Sequence, residues 1–297
     1  MLHMNRRTFL ETSIATAVMT SLPAKSFAAT HKIEKVGVQL YTVRDAMKAD
    51  FEGTIAKVAA VGYKEVEFAG LFNHSPKEAR AILDKNGLVA PCSHIGYDLV
   101  EKHWPETLEA AKIIGQTYIV CPGIPEEPRK LPDGYKHVAE VFNKAGEASN
   151  KAGIKFGYHN HTWEFQPSPQ LSGKRPYDFL LDSTDPKLLH MEMDICWLSV
   201  AGLDPISYFD RYPGRFPLVH VKDMKKLPKI SEGADVTKLG PIEVDMTDVG
   251  SGVIDWKRIF ANSDKAGIKH YFVEHDSPKD PFASITNSYN YLSKLRF

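Results

Sequence analysis

The chain has 297 residues, 37 basic and 37 acidic side chains, zero formal charge and 43% hydrophobic residues. That is material for one large core, and a βα barrel of roughly 250 residues fits the length. The balanced charge offers no footprint for a nucleic-acid backbone, and no apolar run is long enough for a stable membrane span. Twelve histidines point instead to metal ligation or to proton transfer near neutral pH.

At the start, Asn5-Arg6-Arg7-Thr8-Phe9-Leu10 resembles a twin-arginine export signal. A moderately apolar run, Ile14 to Leu22, and a small-x-small site, Ser26-Phe27-Ala28, follow in order. Residues 1–28 are expected to be a cleaved signal peptide, leaving 29–297 as one domain in the periplasm or otherwise exported. Cleavage removes Arg6, Arg7, Lys25 and Glu11, which leaves a net charge of −2. Cys92, Cys121 and Cys196 are odd in number and lie in strand-like runs, so buried thiols are expected rather than disulfides.

From Val36 onward, short β-rich runs alternate with amphipathic helical stretches. The expected strands are Val36 to Tyr41, Glu65 to Phe68, Leu88 to Ser93, Tyr118 to Cys121, Ile154 to His159, Leu188 to Asp194, Phe216 to Val221 and His270 to Glu274. Expected helices include Phe51 to Val61, Pro76 to Asn86, Trp104 to Ile114, Tyr135 to Ala152 and Phe282 to Leu295. Gly62, Gly87, Gly153 and Gly267 stand at helix-to-strand joints, where C-terminal caps belong. Eight alternating units predict an α/β fold, a single (β/α)8 TIM barrel. An open doubly wound sheet is disfavoured because no Gly-x-Gly-x-x-Gly turn follows the first strand. Asp223 to Thr247 is too long and polar for a simple connection and reads as an excursion over the barrel mouth, a lid.

In such a barrel, chemistry collects at the C-terminal strand ends. Here those ends carry Gln39 and Tyr41, Glu67, His94, then Gly157 to Phe165 with His159, His161 and Glu164. The next three strands end in Asp194, in His220 with Lys222, and in Glu274. Any one of these has a bland explanation, Asp194 as a helix cap or His220 as a core histidine. Polar groups on four consecutive strand ends are harder to explain as structure alone. A mixed oxygen and nitrogen set suits one divalent ion, Mn, Co, Mg or Zn.

Val-Gln-Leu-Tyr-Thr-Val-Arg44, Val-Glu-Phe-Ala-Gly70, Tyr-His-Asn-His161, Met-Asp194-Ile-Cys-Trp197, His220-Val-Lys-Asp223, Gly250-Ser-Gly252-Val-Ile-Asp255-Trp256 and Val-Glu274 together resemble the sugar phosphate isomerase/epimerase family, with its xylose-isomerase-like barrel. The resemblance spans nearly the whole chain after the signal and is specific for the family, not for a substrate. It implies metal ligands at the ends of strands five to eight, with Asp194, His220 and Glu274 as three of them. Relatives often end strand five in glutamate, where this sequence has His159. The fourth ligand is either His159 or Glu164 reaching back, and Glu164 is favoured because a second carboxylate suits a hard ion. The resemblance also implies proton-transfer or substrate roles for Lys222 and His94.

The expected activity is isomerisation or epimerisation of a sugar or keto-sugar through an enediolate next to a carbonyl. Loss of a β-hydroxyl or glycosyl group, a lyase or dehydratase reaction on a keto-sugar or 3-keto-glycoside, is the alternative at the same site. A non-catalytic sugar-binding role is a weaker one. Glu274 or His161 would act as base and Lys222, His94 or His159 would return a proton. Glu67, Gln39, Tyr41 and Trp197 would hold the carbohydrate. The partner is a small carbohydrate and not nucleic acid; an oligomer is possible.

Overall fold

The computed structural model describes residues 31–228 and 244–297, so the export signal and the centre of the expected lid lie outside the described residues. Eight parallel strands form the barrel wall: β1 (Val36–Gln39), β2 (Glu65–Phe68), β3 (Val89–Ser93), β4 (Tyr118–Cys121), β5 (Lys155–His159), β6 (Leu189–Asp194), β7 (Leu218–Val221) and β10 (His270–Val273). Between β7 and β10, β8 (Asp223–Met224) and β9 (Met246–Thr247) pair antiparallel as a short ribbon at the base of the excursion. The strand order is β3-β2-β1-β10-β7-β6-β5-β4. The seam between β3 and β4 closes through an isolated bridge, His94 to Val120, with Ile95 N donating to Val120 O and Thr117 N to Pro91 O. Pro91 explains the broken ladder, because it has no N–H to donate.

The eight expected barrel strands are all present, with ends trimmed by a residue or two. The first stops at Gln39 because its side chain accepts from Tyr41 N at 3.1 Å and turns Leu40–Val43 into a 3₁₀ helix. Helices at Phe51–Val61, Pro76–Lys85, Trp104–Ile114, Gly134–Lys151 and Pro281–Leu292 match the expected ones. The third of these ends on Gly115, and Gly153 and Gly267 turn the chain at φ 77° and 81°, conformations that cost other residues steric strain. No described helix is long and apolar enough to cross a membrane. All three cysteines are free and buried.

Two apolar regions frame the site. The larger packs the outer faces of the strands against the helices, with Phe142, Phe156, Tyr158, Leu180 and Met191 among its fully buried members. The smaller fills the barrel interior with Cys92, Tyr118, Val120, Leu218 and Phe272. Strand alternation then stacks the interior. Glu65 and His270, bonded at 2.7 Å, lie below; the apolar plug lies in the middle; Gln39, Glu67, His94, His159, Glu192 and His220 lie above it. Gly37 leaves room for the plug, since a Cβ there would meet the Phe272 ring at 2.6 Å.

Gly146 plays a similar part outside the wall. It sits in the Gly134–Lys151 helix, and a Cβ there would come within 2.4 Å of the Leu188 carbonyl oxygen, a backbone atom that cannot swing away. In an open helix Gly→Ala gains about 1 kcal/mol. Here overpacking reverses the sign, and Gly146→Ala is expected to lose about 1–3 kcal/mol in urea denaturation. A stabilised variant would show that this helix can move off β6.

Candidate active site and metal-ligand cluster

Strand periodicity brings ten polar side chains to the upper end of the barrel. Gln39 Nε2 donates to Glu67 Oε2 at 2.8 Å, and His220 Nε2 meets the same oxygen at 2.7 Å. Glu192 Oε2 lies 2.6 Å from His94 Nε2, 3.2 Å from His159 Nδ1 and 3.2 Å from His220 Nε2. On the other side of its ring, His220 Nδ1 bonds Glu274 Oε2 at 2.7 Å. Lys222 Nζ reaches Glu274 Oε2 at 2.8 Å, Asp276 Oδ1 at 2.8 Å and Asp194 Oδ2 at 3.0 Å. The result is two adjoining clusters hinged on one imidazole.

Charge is unbalanced in this region. Glu67, Glu192, Asp194, Glu274 and Asp276 are all buried carboxylates, and Lys222 is the one ammonium in contact with them among the described residues. Buried charge without compensation is costly. The imidazoles take up part of the load: although burial opposes it, Glu67 and Glu192 raise His94, and Glu192 and Glu274 raise His220 well above the ordinary range. Burial and its histidine neighbours lower His159 far below that range, leaving a neutral ring. Burial pushes Asp194 up to about 6 against the pull of Lys222. Glu274 is held well below the usual carboxylate range, because Lys222 and His220 outweigh its burial. Lys222 is raised well above the usual amine range, because its three carboxylates outweigh its burial.

The donors also fit a divalent ion. Ligand atoms of His94, His159, Glu192 and His220 lie within 4.8 Å of one another, as do those of Asp194, His220 and Glu274, and of Glu67, Cys92 and Glu192. Glu67 Oε1 and Glu192 Oε1 are buried without a hydrogen-bond partner, so oxygen lone pairs remain for a cation.

Above the cluster opens a cleft of about 970 Å³. His94, His159, Lys222, Glu274 and Asp276 reach its floor, and Tyr41, Trp163 and Trp197 form aromatic walls. A family model described as a xylose isomerase-like TIM barrel matches residues 55–294. The chain belongs to the xylose isomerase-like TIM barrel family. It is an enzyme of that family. The inosose dehydratase of Lacticaseibacillus casei is 24% identical over 269 residues, covering 82% of this chain and 88% of the relative. That of Clostridium beijerinckii is 25% identical over 275 residues, covering 83% and 87%. A sugar phosphate isomerase/epimerase from Parabacteroides distasonis superposes with a TM-score of 0.72 at 25% identity, covering 92% of this chain and 97% of the other.

Within this xylose isomerase-like barrel, the residues expected from the sequence divide into three groups. Asp194, His220 and Glu274 do converge, with Lys222 wedged between the two carboxylates. Asp194 also caps a helix: its Oδ1 accepts from Trp197 N at 2.9 Å. His94 and His159 reach the floor of the cleft, and Tyr41 and Trp197 its walls. His161 stands at the rim with 43% of its side chain open; burial of the remainder and the Lys222 ammonium lower its pKa.

Glu164 is a correction. It does not join the other ligands, because Tyr158, which points outward to the helix layer, donates to Oε1 at 2.8 Å and His161 N donates to Oε2 at 2.8 Å. Strand alternation explains this: Tyr158 and His159 face opposite sides, and Glu164 folds back onto the Tyr158 side. Gln39 and Glu67 are a second correction. They lie fully buried beneath the cleft and do not line it; Gln39 holds Glu67, and Glu67 meets His220. The sequence reading passed over Glu192 and Asp276. For Glu192 the signal was available, since the period-2 row His190, Glu192, Asp194 must face inward if Asp194 does.

Proposed function

We propose that this enzyme removes a proton from the carbon next to a keto-sugar carbonyl and then expels a group from the β-carbon, as a dehydratase or lyase. The observation that carries the reading is Lys222 held between Glu274 and Asp276 on the floor of a cleft walled by Tyr41, Trp163 and Trp197. Both contacts to Glu274 engage Oε2, which leaves Oε1 to accept the proton. The electron pair left behind forms the C=C bond and the β-oxygen departs, taking a proton from Lys222.

A divalent ion bound at the cluster would supply Lewis-acid polarisation of the carbonyl, the term that makes α-protons removable. The aromatic walls suit sugar rings, and Trp197 Nε1, buried without a partner, is a donor for a hydroxyl. The inosose dehydratase relatives support elimination. The sugar phosphate isomerase/epimerase neighbour supports a second outcome, in which the proton returns to the same or the adjacent carbon. Both begin with the same abstraction.

Incubation of the enzyme with keto-inositols, keto-sugars and 3-keto-glycosides in D₂O, followed by NMR, tests this. Deuterium is expected at the carbon beside the carbonyl, with loss of water or alcohol. Deuterium with an intact β-substituent would move the reading to an epimerase or isomerase. No exchange with any of these under metal supplementation would defeat the abstraction step itself.

A further inference from the structure

We infer that the group this enzyme expels is a neutral, apolar alcohol, an aryl or arylalkyl aglycone, seated in a subsite of the cleft formed by Tyr97, Gly123, Ile124 and Trp163. The inference rests on the proton abstraction and elimination proposed above and adds the nature of the leaving group. The cleft of about 970 Å³ stands at the upper end of the roughly 300–1,000 Å³ usual for drug-sized ligands. One keto-sugar ring over Lys222 and Glu274 leaves much of it unfilled.

The two sides of the cleft differ in chemistry. In the order β3-β2-β1-β10-β7-β6-β5-β4, with the β3–β4 seam closing the ring, β4 stands across the barrel from β10. The β7 and β10 ends bring Lys222, Glu274 and Asp276 to the cleft. The loop after β4 brings Pro122, Gly123, Ile124 and Pro125, none of them ionisable. Proline has no N–H to donate, so a second sugar ring on this wall would find few partners for its hydroxyls, which is unfavourable for buried polar groups. An aromatic ring has no such requirement. The β3 loop beside this wall adds the exposed carboxylate of Asp98, which disfavours a phosphate or carboxylate on the leaving group.

The apolar wall is built to stay in place. Trp163 lines the cleft, and Arg129, which does not, backs its ring with Cζ 4.1 Å from the centroid. Arg129 Nε donates to Pro125 O at 3.2 Å, which ties the indole to the β4 loop. Tyr97 closes the same side, and its hydroxyl, buried without a partner, is a donor for an oxygen substituent on the aglycone. Gly123 leaves the space: a Cβ there would meet nothing within 4 Å. The chemistry balances without a co-reactant. Glu274 takes the α-proton, the electron pair forms the C=C bond, and the bond from the β-carbon to the glycosidic oxygen breaks. That oxygen leaves as the alcohol with a proton from Lys222.

The test compares 3-keto-glucosides of benzyl alcohol, of methanol and of a second glucose, alkyl leaving groups of similar acidity. Affinity is read by calorimetry on Glu274→Gln, which cannot accept the α-proton, and kinetics on the wild-type enzyme. The benzyl glycoside is expected to bind about 10- to 100-fold more tightly than the methyl one, the usual worth of burying an aromatic ring, with the difference in KM rather than in kcat. Gly123→Leu, at a position outside the left-handed region, should pull that ratio toward one. Trp163→Ala should do the same and Trp163→Phe should restore most of it, with circular dichroism unchanged in all three. Equal affinity for benzyl and methyl, a tighter disaccharide, or a Gly123→Leu enzyme with the wild-type ratio would each overturn the inference and leave proton abstraction intact. A benzyl preference without deuterium exchange in D₂O would defeat the abstraction, and the expulsion with it, and leave the subsite as a binding feature alone.

Discussion

Lys222→Met is expected to slow loss of the β-substituent by on the order of 10²–10⁴-fold, the usual worth of a positioned proton-transfer group, and to do so in kcat more than in KM. The same change removes the ammonium from between Asp194, Glu274 and Asp276, which contact it at 2.8–3.0 Å. Buried carboxylates stripped of their partner typically cost about 3–5 kcal/mol. Lost rate alone would therefore be ambiguous. The double variant Lys222→Met/Asp276→Asn separates the two effects, since it removes one of the stranded charges. It is expected to recover part of the denaturation midpoint and none of the elimination rate. If elimination recovers along with stability, Lys222 is a structural counter-ion rather than the proton donor.

The barrel was legible because strand-length runs alternate with amphipathic helices and glycines mark the joints. Both signals are local and survive without tertiary information. The convergence of Asp194, His220 and Glu274 was legible too, since consecutive parallel strands place their C-terminal residues side by side. Two features resisted for physical reasons. Whether a loop residue turns inward depends on its partners, and nothing in Tyr-His-Asn-His-Thr-Trp-Glu164 announces that the Tyr158 hydroxyl will claim the glutamate. Glu192 was hidden by Met191 and Met193, which make the strand read as core, although alternation alone puts it on the face of Asp194. Asp223, next to the site motif, anchors the 250–256 turn, accepting from Gly250 N and Trp256 Nε1 with Oδ2 and from Met224 N and Ile254 N with Oδ1.

Glu164→Gln should stabilise the protein above neutral pH and leave bound metal unchanged. Glu164 is fully buried, and burial pushes its carboxyl up to about 8 even though the Tyr158 hydroxyl and the His161 amide both pull the other way. In the unfolded chain the group returns to about 4.3. Between these values the folded state holds a proton that the unfolded state has released, so the protonated acid favours folding most below the unfolded pKa. That contribution is lost as pH rises toward 8 and is flat beyond it. The penalty accumulated on the alkaline side is on the order of 5 kcal/mol. Glutamine fills the same volume, can accept from the His161 amide and donate to the Tyr158 oxygen, and has no proton to lose. The stability difference between variant and wild type, measured by urea denaturation at pH 5, 7 and 9, should therefore grow in the variant's favour with pH. A variant that falls further behind at pH 9 would mean that Glu164 is an ionised carboxylate secured by its two donors, and burial would then have lost to hydrogen bonding at this position.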